Sequence, residues 1–408
     1  MAKYDFISKS RLTQKTHYLK SEELYPFFKE VTSPQTDVAF FGNKKVLMFG
    51  SNNYLGLNNH PKIKKASQDA ISKYGTSCTG SRFMNGTLDL HTQLEDELKD
   101  FLDQEAVIVF PTGFQVNLGV IPALAGKNDY IFIDELNHAS IIDGCQLSYA
   151  KRVKYKHNDM VDLFKKMELF ANDGSKNLIV TDGIFSMDGD IAQLDRIVEI
   201  GKKYNTITMV DCAHAIGVIG KNGSGTAAHF GVSKEIDLIG GTFSKSLASV
   251  GGFIAGDADM IEYLSHASRS FMFSASLPPA STASALAALK IIRTDSSLTE
   301  KLWENTNFAA LRLKEIGFEI GQSETPIIPI YIRDNFKTFE FTKRLLEEQV
   351  FVNPVVSPAV PSTDSLIRFS LMATHTKDQI DFAMKKMRKV AEDLQIKPYQ
   401  SVVEVNAE

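Results

Sequence analysis

Between residues 46 and 284 the chain repeatedly sets a short, unbroken apolar run against a longer stretch of mixed polarity, and this alternation narrows the possible folds most. The runs are residues 106–110 (AVIVF), 130–133 (YIFI), 178–180 (LIV), 207–210 (ITMV), 236–239 (IDLI) and 252–255 (GFIA). A strand wetted on one face alternates apolar with polar residues, whereas a strand apolar throughout is covered on both faces. Strands of the second kind, separated by helix-length segments, predict an α/β fold with a mostly parallel sheet between helices. After Pro278-Pro279 a helical stretch through residues 283–292 follows, and the texture changes. Strand candidates at residues 327–332 and 366–369 then sit between amphipathic helices, the last marked by Ile380, Ala383, Met384, Met387, Ala391 and Leu394 at helical spacing. Thr376 and Gln379 form a capping box at its start. The expected organisation is an N-terminal arm over 1–45, a large domain over 46–290, a smaller α+β domain over 291–400 and a tail over 401–408.

Charge and composition exclude several classes. Lys and Arg number 45 against 49 Asp and Glu, a net charge of -4, with no dense basic run to neutralise a row of phosphates, so nucleic acid is not an expected partner. Cys78, Cys145 and Cys212 are widely spaced with no C-x-x-C, which fits a reducing cytoplasm rather than a disulfide framework or zinc knuckle. No apolar run approaches the roughly 20 residues that span a bilayer, so at most peripheral membrane contact is expected.

Ligands of an open parallel sheet sit outside the carboxyl ends of its strands, so the residues following each apolar run carry the chemistry. Here these are Thr112-Gly113-Phe114, Asn137-His138, Thr181-Asp182-Gly183-Ile184-Phe185-Ser186, Asp211-Cys212-Ala213-His214 and Gly240-Gly241-Thr242-Phe243-Ser244-Lys245. Singly, each has an ordinary reading: a helix entry, a strand-end histidine, a turn serine, an N-cap aspartate, a solvated lysine. Together they supply what a pyridoxal 5'-phosphate site requires. Lys245 can form the imine, and Asp211 can keep the pyridine nitrogen protonated so that the ring accepts a carbanion's electrons. His214, three residues on, can hydrogen-bond the phenolic oxygen with help from Ser186, and His138 offers a flat ring to cover the cofactor's open face. The amides of Gly113 and Phe114, with Thr242 and Ser244, can hold the phosphate. Residues 75–82 have the glycine spacing of a Walker A loop without its Lys-Ser/Thr pair, and no G-x-G-x-x-G opens a helix after a strand, so nucleotide hydrolysis and dinucleotide binding are set aside.

These residues, with Asn52-Asn53-Tyr54-Leu55-Gly56-Leu57, Gly80-Ser81-Arg82, Asn137-His138-Ala139-Ser140, Phe185-Ser186-Met187-Asp188-Gly189-Asp190 and His375-Thr376, resemble the α-oxoamine synthases over nearly the whole chain. Those are fold-type-I pyridoxal-phosphate enzymes that join an amino acid to an acyl thioester. The resemblance implies a seven-stranded, mostly parallel sheet and a smaller C-terminal α+β domain. It further implies that Arg368 binds the amino acid's carboxylate, with Asn53 and Arg82 as further substrate contacts. Ser274 resembles the residue reaching the phosphate of a neighbouring subunit, which implies a homodimer with shared active sites. Members differ in substrate, and Gly241-Thr242-Phe243-Ser244-Lys245-Ser246 resembles those that take L-serine and the long-chain acyl-CoA palmitoyl-CoA, whereas glycine users typically carry Gly-Thr-Leu-Gly-Lys-Ala. Cys212 departs from the Glu, Asp or Ala often found beside the ring aspartate. A glycine C-acetyltransferase, an 8-amino-7-oxononanoate synthase and, from another class, a non-catalytic regulatory subunit remain alternatives.

Overall fold

The apolar runs do become strands with both faces buried: every residue of Asn177–Asp182, Leu238–Thr242 and Gly252–Gly256 is inside. The computed structural model describes residue 7, residues 9–171 and residues 176–396, so the expected tail lies outside the described residues. Seven strands form the main sheet in the order Ala106–Phe110, Gly252–Gly256, Leu238–Thr242, Ile207–Asp211, Asn177–Asp182, Tyr130–Asp134 and Lys151–Tyr155. Gly252–Gly256 runs antiparallel to both its neighbours, and the other pairs are parallel. The carboxyl ends of the remaining six strands therefore meet along one edge.

Two strands differ from expectation, each for a physical reason. Lys151–Tyr155 (KRVKY) holds none of the apolar runs taken as strands, yet it forms the edge strand beside Tyr130–Asp134 with Tyr155 buried. Lysines on an edge strand discourage pairing with another chain and also hide the strand's alternation. The run expected at 236–239 starts two residues later, as Leu238–Thr242. Gly240 and Gly241 thus lie inside the strand, and a Cβ on Gly241 would come 2.6 Å from the Phe253 ring. Only glycine lets the two strands approach so closely.

A second sheet, entirely antiparallel, pairs Leu366–Ser370 with Ile327–Tyr331 on one side and Asn353–Val355 on the other. The helix Lys377–Asp393 starts at the capping box, with Gln379 N–H on the Thr376 hydroxyl at 3.2 Å and Thr376 N–H on Gln379 Oε1 at 2.8 Å. The helix Pro279–Thr294 continues through the expected boundary at 290. The segment read as an arm is stitched to the C-terminal part: Val38–Phe41 and Lys44–Met48 pair with each other, and Val350–Phe351 adds to the latter. Leu19 and Leu24 also pack with Phe339 and Val356.

Candidate active site

Asp211 ends the central strand Ile207–Asp211 and is 8% exposed. Its Oδ1 accepts from the N–H of Ala213 at 3.0 Å and its Oδ2 from the Asn117 side-chain amide at 2.8 Å. The second amide hydrogen of Asn117 goes to Ser140 Oγ, also at 2.8 Å. The Ser140 hydroxyl is then free to donate to His138 Nδ1, 2.8 Å away, which also accepts from the Ser140 N–H at 3.2 Å. Nδ1 is therefore an acceptor and the ring proton sits on Nε2. Burial lowers the His138 pKa, so the ring is neutral, and the Phe114 ring meets it edge-on at 6.2 Å.

Lys245 follows the strand Leu238–Thr242. Burial lowers its ammonium pKa to about 8, Asp211 opposing and Arg368 assisting, so roughly a tenth of it is neutral amine at pH 7, far more than for an ordinary lysine. His214 is held well below its ordinary value by burial, and also by the charges of Lys245 and Arg368. The Tyr54 hydroxyl, kept protonated by burial, lies 2.7 Å from His214 Nδ1 and 3.4 Å from Asn52 Oδ1; donation over the shorter distance leaves the imidazole proton on Nε2. Asp182 is buried beside this group, and burial followed by the charge of Asp211 raises its pKa well above the carboxylate range. Asp182 anchors His138 by accepting its main-chain N–H at 2.7 Å.

These residues line a cavity of about 250 Å³ whose wall also includes Thr112, Gly113, Thr242 and Ser244. Thr112 caps the helix Gly113–Leu124 through the N–H of Gln115 at 3.2 Å, leaving the first amides, Gly113 and Phe114, for a ligand. A Cβ on Gly113 would lie 2.7 Å from Cβ of Thr242, so glycine alone permits this helix end against the strand. A positive helix end with two hydroxyls on one side, a carboxylate with fixed donors opposite, a neutral imidazole and a reactive lysine fit pyridoxal phosphate.

Arg368, 6% exposed on the strand Leu366–Ser370, reaches this site from the second sheet. It donates to the Ser186 carbonyl at 2.6 Å, the Ser370 hydroxyl at 2.7 Å and the Tyr54 hydroxyl at 3.2 Å. Among the described residues no carboxylate pairs with it, an expensive state for a buried guanidinium unless a ligand supplies the anion. Ser186 contributes this main-chain carbonyl, and its side chain does not line the cavity. Asn53 lines a second cavity, of about 700 Å³, that shares Lys245 and Ser244 with the first. Ser274 accepts from the Gln115 side chain at 2.9 Å, beside the capped helix end. Arg82 lines neither cavity. Its guanidinium is spent on a two-pronged pair with Glu95 at 2.6 and 3.0 Å, and Glu95 also takes the N–H of Val109. Sequence reasoning passed over Asn117, Tyr54 and Asp182. The lone amide in the apolar helix GFQVNLGVIPAL was the available signal for Asn117, and Tyr54 stands inside one of the recognised segments.

Residues 44–387 match the family of class I and II aminotransferases. The chain belongs to that family. Among its members, the serine palmitoyltransferase of Sphingobacterium spiritivorum is 56% identical over 396 residues, covering 96% of this chain and 99% of its own. The 8-amino-7-oxononanoate synthase of Thermoanaerobacter pseudethanolicus is 44% identical, covering 94% of this chain and 98% of its own. A high-resolution structure of SPT (serine palmitoyltransferase) with the PLP (pyridoxal phosphate) internal aldimine superposes with a TM-score of 0.92 at 33% identity, over 97% of this chain and 99% of that one. The class I and II aminotransferase assignment thus extends over nearly the whole fold.

Proposed function

We propose that the chain is a pyridoxal-phosphate-dependent acyltransferase that condenses L-serine with palmitoyl-CoA, releasing coenzyme A and carbon dioxide and giving 3-oxosphinganine. The observation that carries this reading is the buried Arg368, paired with no carboxylate among the described residues, whose charge acts on Lys245 and His214. The serine and palmitoyl specificity is supported by the 56% identical relative and by the Thr242-Phe243-Ser244-Lys245 signature.

The residues divide the work. Arg368 grips the amino acid's carboxylate through its forked donors. Lys245, with a pKa near 8, removes the α-proton and returns one at the end. Bound pyridoxal phosphate supplies the electron sink for the resulting carbanion. Asp211, fixed by Asn117 and Ala213, would keep the cofactor's ring nitrogen protonated, and His214, held by Tyr54, would hydrogen-bond its phenolic oxygen. His138 covers one ring face, and the Gly113 and Phe114 amides with Thr242 and Ser244 take the phosphate. Among the described residues no helix is long and apolar enough to cross a membrane. The proposal places the reaction in the cytoplasm, with at most peripheral membrane contact, and in a homodimer. The exposed Phe83, Met84 and Phe273, on segments joined where the Ser276 N–H meets the Gly80 carbonyl at 2.9 Å, support a subunit contact there.

The deciding experiment measures coenzyme A release with L-serine plus palmitoyl-CoA, glycine plus acetyl-CoA, and L-alanine plus pimeloyl-CoA. The serine pair is expected to dominate, and Lys245→Ala to abolish release. Dominance of another pair moves the chain to a different substrate within the same chemistry, and turnover by the alanine variant removes Lys245 from its role.

A further inference from the structure

A second ionisable cluster lies outside the cavity, just beyond the edge strand Lys151–Tyr155. His157 Nδ1 is 3.0 Å from Asp134 Oδ1, and its Nε2 is 3.0 Å from Asp190 Oδ2. An ionised carboxylate only accepts, so both ring nitrogens carry hydrogen and the ring is an imidazolium bridging two anions. Asn158 reinforces the clamp: its N–H donates to Asp134 Oδ2 at 2.7 Å and its side-chain amide to Asp190 Oδ2 at 3.0 Å. Phe185 closes the group, its ring edge-on to the imidazole at 4.4 Å.

What the clamp holds is a tight loop. Phe185 N–H donates to the Asp190 carbonyl at 3.1 Å, Gly189 N–H to the Phe185 carbonyl at 3.0 Å, and Ile184 bridges to Ile191. The loop's other side meets the second sheet. The Ser186 carbonyl takes Arg368 Nε at 2.6 Å, Asp188 takes the Tyr331 hydroxyl at 3.2 Å, and the Gly189 carbonyl takes the Thr325 hydroxyl at 2.8 Å. Gly189 has φ +72, and a Cβ there would lie 2.2 Å from the Ile327 carbonyl oxygen, so the loop fits against that strand with nothing to spare.

We propose that His157 is a positioning residue for the amino-acid substrate: by pinning Asp190 to Asp134 it fixes the loop carbonyl that aims Arg368. The inference rests on reading Arg368 as the carboxylate ligand. Without the imidazolium, Asp134 and Asp190 are bridged only by the neutral donors of Asn158, which cancel neither charge, and Asp190 moves out and takes the loop with it. Arg368 then loses the acceptor on Nε, the shortest of the three bonds that fix it, and its fork is held less firmly toward the carboxylate. Lys245, Asp211 and His138 touch none of this, so the loss falls on amino-acid binding.

The test compares wild type with His157→Gln by calorimetric titration of L-serine, glycine and L-alanine into the cofactor-loaded protein without thioester, beside steady-state kinetics. For the variant, the Kd and KM of the amino acid rise about tenfold and kcat changes less than about threefold. The KM for the acyl thioester and the absorbance of the bound cofactor stay as in wild type. Asp190→Asn, which keeps an acceptor for His157 but loses the charge, shows a smaller rise in the same direction, and it carries the test if His157→Gln does not fold. A lowered melting temperature with unchanged amino-acid Kd overturns the proposal, because a purely structural clamp behaves that way. Wild type that binds glycine or alanine but not serine overturns the substrate reading and leaves the variant comparison intact on that amino acid. Wild type that binds none of the three overturns both.

Discussion

Both amide hydrogens of Asn117 are committed, one to the carboxylate of Asp211 and one to Ser140, which in turn sets the tautomer of His138. One neutral side chain thus orients two groups, the carboxylate that would meet the cofactor's ring nitrogen and the imidazole that would cover its face. Asn117→Ala removes a buried donor from Asp211 and frees the Ser140 hydroxyl to rotate. Leaving one buried acceptor unsatisfied costs about 1–3 kcal/mol. If that loss is felt where charge develops on the ring, kcat/KM falls roughly fivefold to a hundredfold. The cofactor's absorbance should shift as well, since the ring-nitrogen partner has changed its own hydrogen bonding. Asn117→Ala with wild-type kcat/KM and spectrum would show that Asp211 is held by the Ala213 amide and its strand alone.

At the level of elements, the strand ends were legible because burial on both faces leaves a run of apolar residues that stops where the sheet stops, and the first polar residues beyond it are the site. Asp211, His138 and Lys245, which line one cavity, were read as candidates in this way. The edge strand Lys151–Tyr155 escaped because lysines suit an edge and break the apolar run. The pairing of Lys44–Met48 with residues 350–351 escaped because nothing local announces a partner roughly three hundred residues away. The pairing of Arg82 with Glu95 was not legible for a related reason: the segment was recognisable, but the presence of Glu95 under it is a tertiary fact. The junction between the strand Leu238–Thr242 and the helix Gly113–Leu124 gives a test at this scale. In Gly113→Ala the added Cβ would sit 2.7 Å from Thr242 Cβ and 2.9 Å from its hydroxyl, so the helix end must shift by tenths of an ångström. Overpacking of this kind costs about 1–3 kcal/mol. The shift opens the phosphate cradle, so pyridoxal phosphate Kd, measured by fluorescence titration, should weaken about tenfold or more. An unchanged Kd would place the phosphate elsewhere.

Across the whole molecule, the main sheet and the C-terminal sheet meet at the loop through Ser186, Asp188 and Gly189, and the charge state of His157 decides how firmly that seam is held. Burial alone would lower the imidazole's pKa, but hydrogen bonds to Asp134 and Asp190 and their charges raise it from 6.5 to about 10. A histidine whose folded pKa is raised stabilises the fold fully below its unfolded value, and the contribution fades as pH rises toward the folded one. The window here runs from about pH 6.5 to about pH 10. His157→Gln lacks the titrating ring, so the difference in melting temperature between wild type and variant should be largest at pH 6, smaller at pH 8 and nearly gone above pH 10. Other groups titrate identically in both proteins and drop out of the difference. A gap that stays constant across this range would mean that the ring is not a charged bridge in the folded chain. A gap that widens with pH would mean that the neutral ring is the better partner, and the seam would then be held by Asn158 and by the contacts of Asp188 and Gly189 rather than by charge.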